Sequence, residues 1–326
     1  MNCVECGRKP DEPNGNDTAQ TEAAKPVPEF LIPNSVEDSR DAHDAIINWN
    51  GAAIVWSENN TEIHRVDTGT NRESYFSPQT PSGEGFDKVG GFSDNGAYYF
   101  CLNKGEGFFV KGGDYIADVC NFSTPLVFSG DGNRFAASQN GNPGVMIFDF
   151  AKHKPLLTLG EDEGTFSMLA YSPDDKRLAA LSTDSVIVWD ARTGSELFRI
   201  KSALSLDCIA YSPDGKLIAA TSPYGCVRVW DAENGGDVFK YSWEEPRREF
   251  GEKIDGVKGF VRFSPDGRVF VYGFNNKKTV QIHDGETGEV LASLPSPKGV
   301  KWASYTPDGH RLITYDGSQI KFWAHE

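Results

Sequence analysis

The sequence of 326 residues contains no run of about 18 apolar residues, so it offers no helix long enough to cross a bilayer. It also lacks an excess of basic residues: 47 acidic side chains stand against 32 basic ones, and the net charge is −15. Binding to nucleic acid or to an anionic membrane needs a concentrated Lys and Arg surface. We therefore expect neither kind of partner. The first residues lack the basic and apolar regions of a secretion signal, which predicts a cytoplasmic protein.

Cysteine is scarce, because six cysteines in a chain of this length do not form a disulfide scaffold. Cys3 and Cys6 have the Cys-x-x-Cys spacing of half a zinc ribbon, and the segment around them resembles the first knuckle of bacterial zinc-ribbon leaders. A closed zinc site needs four ligands, and no second such pair follows nearby. We predict no bound metal, with Cys3 and Cys6 as the candidate ligands if there is one.

Signatures of catalysis are missing as well. The six histidines are scattered without a pair at metal-ligand spacing, and there is no Gly-x-Ser-x-Gly elbow or phosphate-binding glycine loop. The sequence therefore predicts no catalytic residues, no enzyme activity and no cofactor.

The texture of the chain changes near residue 43. Residues 7 to about 42 are rich in Asp, Glu, Asn, Pro and Thr and cannot bury enough apolar surface to offset their ordering entropy. Further on, short β-branched and aromatic runs alternate with turn residues, and no helical periodicity is sustained. We assign residues 1–28 to a flexible acidic leader and residues 29–326 to one all-β domain.

A short turn segment recurs six times, with an aromatic residue first, Ser or Thr second and Gly or Asp last. Its steps of 36, 43, 40, 52 and 42 residues average about 43, the length typical of a four-stranded propeller blade. The six copies are Phe92–Gly96, Phe128–Gly132, Tyr171–Asp175, Tyr211–Gly215, Phe263–Gly267 and Tyr305–Gly309.

Each copy has the chemistry of a hairpin turn. Pro presets the first central position, Asp bonds to nearby backbone N–H groups, and Gly accepts a left-handed conformation. One strand precedes the turn at Tyr211–Gly215. Two apolar or alternating runs follow it, and after a second turn comes a last run, so the repeat contains four strands. Ile46–Phe76 supplies a seventh unit without the turn motif.

Two repeats carry a second signature in the third strand. Val186-Ile-Val-Trp-Asp190 and Val227-Arg-Val-Trp-Asp231 each precede a turn that ends in Gly, and degenerate copies end at Asp149, Asp284 and Ala324. On these residues the sequence resembles the WD-repeat β-propeller family, with degenerate repeats of bacterial type. The resemblance implies a seven-bladed propeller over about residues 43–326.

Some family features are absent. The Gly-His pair before the innermost strand is missing, and the Asp expected between the second and third strands occurs at most as Asp184 and Asp316. We therefore predict a ring held mainly by apolar packing between blades, with Trp189 and Trp230 as packing residues and His283 in a Trp position as a packed histidine. For closure we predict that Glu29–Ile32 pairs alongside Ile320–Trp323 as the outer strand of the last blade.

The repeat also places the remaining cysteines. Cys208 and Cys226 fall on the first and third strands of one blade, and Cys101 and Cys120 on the second and fourth strands of another. One strand between them implies a Cα separation of roughly 9 to 10 Å, beyond the disulfide limit of about 7 Å. Buried free thiols and a reducing compartment are expected.

The resemblance implies a non-catalytic, monomeric scaffold that binds protein or peptide partners. Two alternatives stay open: a propeller hydrolase or lactonase with a metal at the central channel, and the sensor module of a larger signalling system. The first needs a polar metal-holding cluster on the innermost strands, which are mostly apolar and small.

The long step of 52 residues points to a binding surface. Roughly nine extra residues leave the blade within Ser242–Gly256, on the same face as the loops between second and third strands. Arg and aromatic residues dominate binding hot spots. We therefore predict partner binding near the fifth and sixth blades through Trp243, Arg247, Arg248, Phe250, Tyr224, Lys277 and Lys278.

Overall fold

A computed structural model describes residues 35–324, with gaps at 42–44, 48–50, 59–61, 71, 79–85, 87, 94–95, 104–105, 112–113, 119–121, 140–141, 151, 153, 204 and 243–257. Within these ranges the chain consists of strands, turns and loops, and it contains no helix that could cross a membrane. The predicted leader, Cys3, Cys6, Cys120 and the insertion residues Trp243, Arg247, Arg248 and Phe250 lie outside the described residues.

Twenty-eight strands form seven antiparallel sheets of four, as the repeat spacing predicted. The first four blades follow the chain from the innermost strand outward. Blade one is β2 (Ile46–Ile47), β3 (Ala53–Glu58), β4 (Glu62–Asp67) and β5 (Glu73–Phe76); blade two is β6 (Lys88–Phe92), β7 (Tyr98–Asn103), β8 (Glu106–Lys111) and β9 (Asp114–Asp118); blade three is β10 (Phe122–Phe128), β11 (Arg134–Gln139), β12 (Asn142–Asp149) and β13 (Lys154–Leu159); blade four is β14 (Met168–Tyr171), β15 (Arg177–Leu181), β16 (Ser185–Asp190) and β17 (Glu196–Lys201).

The last three blades follow the same order, except that the outer strand of blade seven comes from the start of the chain. Blade five is β18 (Cys208–Tyr211), β19 (Leu217–Ser222), β20 (Cys226–Asp231) and β21 (Asp237–Ser242); blade six is β22 (Gly259–Phe263), β23 (Val269–Phe274), β24 (Thr279–Asp284) and β25 (Val290–Pro295); blade seven is β26 (Trp302–Tyr305), β27 (Arg311–Tyr315), β28 (Gln319–Ala324) and β1 (Ser35–Asp41).

The position that we predicted for Glu29–Ile32 is taken by β1. Its register against β28 places Ser35 opposite Ala324, Val36 opposite Trp323 and Asp41 opposite Gln319. The assignment of this position to residues 29–32 was wrong, because it rested on apolar residues at period two, whereas β1 is polar in sequence; residues 29–32 themselves lie outside the described residues. Pairing at the outer edge of a sheet depends on backbone hydrogen bonds, so it needs no apolar face.

The recurring turn connects the first and second strands, and its side chains hold its shape. In blade five the Ser212 hydroxyl donates to Asp214 Oδ1 at 2.7 Å and accepts from the Leu217 N–H at 2.9 Å. Asp214 Oδ1 also accepts from the Lys216 N–H at 3.0 Å, and Gly215 has a φ of 73°. The hairpin assignment is therefore confirmed, with its Asp and Gly in the roles that the sequence predicted.

The core lies between neighbouring sheets, because each middle strand is buried on both faces. In β19, Ile218 and Ala220 pack toward blade four, and Ala219 between them packs toward blade six. This alternation is the period of two of a strand, and it explains why the second and third strands read as nearly continuous apolar runs.

The two signature tryptophans are packing residues. Trp189 is 3% exposed and contacts Phe166 edge-on at 5.6 Å, and Trp230 is fully buried between blades four and five. The following aspartates cap the next turn: Asp231 Oδ1 accepts from the Glu233 and Asn234 N–H groups at 2.8 and 3.0 Å. Trp230 Nε1 has no hydrogen-bond partner among the described residues, so this side chain stabilises the interface between blades by packing.

Arg228 lies beside Trp230 rather than on an opposite, solvent-facing side. Residues two apart on a strand share a face, although a charged residue in this position suggests exposure. The guanidinium carbon of Arg228 lies 5.1 Å from the centroid of the Trp230 ring, and Nη2 lies 2.8 Å from Asp237 Oδ1. Arg228 therefore covers the tryptophan on the outer side of the blade.

Candidate functional site

The order of strands gives the ring two different faces. The turn face carries the turns between first and second strands and between third and fourth strands. The loop face carries the loops between second and third strands and the connections from each outer strand to the next blade. Since every blade repeats the same order, residues far apart in sequence meet on one face.

A cavity of about 320 Å³ opens on the turn face at the centre of the ring. Aromatic residues at the ends of the inner strands and the prolines of the turns line it, and Arg262 is the one charged side chain in this lining. The aromatic and proline residues are Phe128, Tyr171, Tyr211, Phe263, Tyr305, Pro173, Pro213, Pro265 and Pro307. Such a wall can hold an apolar group and an anion.

The tyrosines of this cavity contribute their rings rather than their hydroxyls. Burial raises the pKa of Tyr171 and of Tyr211 above the usual range, and both hydroxyl oxygens are enclosed without a hydrogen-bond partner among the described residues. Arg262 lies deeper, where Nη1 donates to the Val261 carbonyl at 2.8 Å and lies 3.7 Å from Cys208 Sγ. No group of three or more metal-ligating side chains occurs within the described ranges.

On the loop face, the structure places three of the predicted binding residues on neighbouring blades. Tyr224 lies in the loop of blade five and is 37% exposed, while Lys277 and Lys278 lie in the loop of blade six, half-buried and exposed respectively. The insertion that joins the two blades starts after Ser242 and ends before Lys258. Tyr224, Lys277 and Lys278 therefore flank the two ends of the insertion.

A half-buried carboxylate connects blades five and six beneath these loops. Asp207 Oδ1 accepts from the Thr221 hydroxyl and Oδ2 from the Gly259 N–H, both at 2.6 Å. Burial raises the pKa of Asp207 despite these hydrogen bonds. Because Gly259 belongs to blade six and Thr221 to blade five, this contact fixes the two loops relative to each other.

Lysines also gather beyond the predicted set. Lys258 begins blade six, and Lys298 and Lys301 lie in the connection to blade seven; all three are exposed. These three lysines were not predicted as binding residues, because they lie outside the insertion and the two loops beside it. The signal was available, since the repeat phase puts these connections on the same face as Lys277 and Lys278.

The opposite side of the loop face is acidic. Glu161, Asp162 and Glu163 lie in the connection between blades three and four, and Asp184 lies in the loop of blade four. Glu163 is held by Arg199 at 2.6 Å, and a hydrogen bond from that guanidinium keeps the pKa of Glu163 below its usual range. The described loop face is therefore divided into an acidic side at blade four and a basic side at blades six and seven.

His283 is the packed histidine that the sequence predicted in a Trp position. It is fully buried, stacks on Phe270 at 5.0 Å, and its Nδ1–H donates to the Gly288 carbonyl at 2.9 Å. Burial lowers its pKa below the ordinary 6.5. It therefore replaces the tryptophan as a flat packing group and contributes no ligand to the loop face.

We expect the stability of the protein to fall in mild acid because of His283. A folded-state pKa below the unfolded value means that stability is present above about pH 6.5 and is lost as the pH falls through the folded pKa. His283→Phe should reduce this loss, which is at most about 1.4 kcal/mol per pH unit for one group. Urea unfolding of both proteins between about pH 7 and pH 5 measures it; equal pH slopes would contradict the assignment.

Comparisons with known proteins agree with the geometry. The family model described as "WD domain, G-beta repeat" matches residues 200–231. Serine-threonine kinase receptor-associated protein of Gallus gallus is 25% identical over 168 residues, which are 51% of this chain and 47% of that protein. p21-activated protein kinase-interacting protein 1-like of Xenopus laevis is 22% identical over 193 residues, which are 59% of this chain and 49% of that protein. The chain thus spans about half the length of these curated relatives.

Solved structures share the fold at low sequence identity. A chain of the "Crystal Structure of Mitotic Checkpoint Complex" superposes with a TM-score of 0.70 and 16% identity, covering 98% of this chain and 100% of that one. The Myceliophteria_thermophila Cps50 (Swd1) beta-propeller domain gives a TM-score of 0.69 and 14% identity, covering 90% and 100%. Both matches extend across the ring rather than over a single repeat.

Proposed function

Because the chain belongs to the WD-repeat β-propellers, we propose that it is a non-catalytic scaffold that binds protein or peptide partners. One observation carries the proposal: seven blades packed face to face hold exposed loops of neighbouring repeats at fixed positions. A rigid ring of this kind suits recognition, because its loops can vary while their spacing stays constant. The names of the relatives describe a receptor-associated and a kinase-interacting protein, which supports the same role.

We place the partner on the loop face at blades five and six. Tyr224 is an exposed aromatic residue, and the loop of blade six adds Lys277 and Lys278 beside it. Trp243, Arg247, Arg248 and Phe250 join this surface by sequence, since the insertion starts and ends on the same face. Aromatic and Arg residues of this kind contribute most of the free energy at protein interfaces.

The proposal extends to the setting of the protein. Cys101, Cys208 and Cys226 are buried free thiols, which supports a reducing compartment such as the cytoplasm. The net charge of −15 supports protein partners over nucleic acid or anionic membranes. We further propose that the propeller domain begins at about residue 29 and acts as a monomer, which light scattering of the purified chain tests.

The test is affinity purification of the whole chain from its native cells, followed by mass spectrometry. Combining Tyr224→Ala, Trp243→Ala and Arg248→Ala should remove specific partners, because each hot-spot truncation costs about 2 kcal/mol or more, roughly thirtyfold in affinity. A matched control is Tyr75→Ala, Leu197→Ala and Arg192→Ala, which truncates exposed side chains on blades one and four, away from blades five and six.

Thermal melting of both triple variants shows whether they stay folded. A folded triple variant of the loop face that keeps every copurifying partner would exclude this surface. If the wild-type chain retains no protein beyond the background of the control resin, the scaffold role itself is wrong.

A further inference from the structure

Five lysines lie in the loops and connections of blades six and seven on the loop face, and we call them the lysine sector: Lys258, Lys277, Lys278, Lys298 and Lys301. Backbone contacts fix its parts. The Lys258 N–H donates to Asn275 Oδ1, and the Asn275 N–H donates to the Lys258 carbonyl, both at 3.1 Å. Gly299 packs so closely on Asn275 that a Cβ at Gly299 would lie 2.0 Å from the Asn275 carbonyl oxygen.

The remaining lysines are anchored in the same way. The Lys278 carbonyl accepts from the Ser296 N–H at 2.6 Å, and the Lys301 N–H donates to the Tyr315 carbonyl at 2.7 Å. Lys298 Nζ lies 3.0 Å from Ser318 Oγ in the loop of blade seven. Two loops and one connection are therefore locked together, and the five lysines project from fixed backbone positions on one side of the ring.

This sector has little negative charge of its own. Two described carboxylates lie beside these lysines, and both are already hydrogen-bonded. Asp316 accepts from the N–H groups of Ser318 and Gln319, both at 2.8 Å, and Asp207 accepts from the Thr221 hydroxyl and the Gly259 N–H, both at 2.6 Å. Like charges held near each other repel, and an anion that binds among them relieves that repulsion. The chain as a whole has a net charge of −15, whereas these five lysines make this part of the surface positively charged.

We infer that the lysine sector is the docking site for a short acidic segment of a partner protein. The inference rests on the proposed function, because it names the chemistry of the partner on the same face. The size of the sector favours a peptide over a nucleic acid: a longer polyanion would extend onto the acidic side at blade four. Screening over about 8 Å confines the attraction to the lysines themselves.

We assign the lysine sector to a second protein rather than to the amino-terminal residues of this chain. The antiparallel register places Ser35 opposite Ala324, at the turn-face end of β28, while the lysine sector lies at the other end of the blades. The leader therefore joins the ring on the face opposite the lysines. The positive charges of the lysine sector are complementary to an acidic segment from a second protein.

Fluorescence anisotropy with the full chain tests the inference. The probe is a labelled peptide of repeated Glu and Ser, and its control has Gln in place of Glu. We expect binding of the Glu peptide alone, weakening as salt is raised. Lys278→Glu, Lys298→Glu and Lys301→Glu together should lower the affinity by at least about tenfold, because three attractions become repulsions.

The matched control reverses the same number of charges on the turn face. Lys152, Lys176 and Lys216 are exposed there, and each lies within 3.5 Å of an aspartate, at 3.3, 3.1 and 3.5 Å. Their combined change to Glu should leave the peptide affinity within about twofold of wild type, because they lie more than a Debye length of about 8 Å away across the ring.

Three outcomes overturn the inference: equal binding of the Glu and Gln peptides, an equal loss in the turn-face variant, or tighter binding of a single-stranded oligonucleotide through the same lysines. None of these bears on the scaffold role, which is read from copurifying partners. Conversely, a chain without copurifying partners that still binds the Glu peptide would contradict the scaffold role and leave the lysine sector in place.

Discussion

Replacing Trp230 by Ala is expected to lower the free energy of unfolding by about 3 to 5 kcal/mol. The side chain is fully buried between blades four and five, where it packs with Ile218, Ala220 and Val188. Truncation leaves a cavity that two rigid sheets cannot fill, since each strand is held by hydrogen bonds on both sides. Urea unfolding followed by fluorescence and circular dichroism measures the loss.

Arg228→Ala is the matched comparison on the same strand. Arg228 packs over the outer side of the Trp230 ring and pairs with Asp237, whose side chain is 72% exposed. An exposed ion pair and a cation–π contact each contribute up to about 1 kcal/mol, so this variant should lose about 1 to 2 kcal/mol. The register of β20 places Trp230 between two blades. Equal unfolding midpoints for the two variants would contradict this packing role.

The blades could be predicted from the sequence because turn chemistry and strand period agree in each of them. Ser212, Asp214 and Gly215 have local roles, and local roles leave a pattern in any repeat that uses them. One copy of the turn differs: Asp175 stands in the glycine position and has a φ of 59°. Its carboxylate accepts from the Gly130 and Asp131 N–H groups at 2.6 and 3.0 Å, and these interblade bonds offset the strain of the left-handed backbone.

Two features could not be read from hydrophobic period. The outer strand Ser35–Asp41 is polar, so only its backbone pairing with β28 identifies it. The charge of Arg228 suggests a solvent-facing side chain, whereas its stem and guanidinium cover a tryptophan. In both cases contacts between distant parts of the chain determine where the residues lie. The neighbouring sequence does not indicate these contacts.

The candidate site was predicted in part for the same reason. Tyr224, Lys277 and Lys278 were found because they lie in loops next to an insertion of unusual length. Lys258, Lys298 and Lys301 lie in connections of ordinary length, and their meaning depends on which face those connections occupy. Once the order of strands is fixed, the charges of a whole face can be added together, and the division into acidic and basic sides becomes visible.

Gly51→Ala is expected to disrupt the contact between blades one and seven and to cost about 3 kcal/mol or more, the sum of left-handed strain and overpacking. Gly51 has a φ of 72°, and a Cβ there would lie 1.9 Å from the Tyr305 carbonyl oxygen. Neither side can yield easily. The Thr68 hydroxyl donates to the Gly51 carbonyl at 2.6 Å, and Tyr305 is 2% exposed in the core beside blade six.

Gly164→Ala separates the two contributions. Gly164 has a φ of 80°, but no atom of the described residues lies within 4 Å of the Cβ position, so this variant carries the backbone strain without the clash. It should lose about 1 kcal/mol, several-fold less than Gly51→Ala. Hydrogen exchange then locates the damage: in Gly51→Ala we expect faster exchange in β2, β3 and β26, and unchanged exchange in blade five. If the two alanine variants unfold at the same urea concentration, blades one and seven do not approach each other as closely as the Gly51–Tyr305 contact requires.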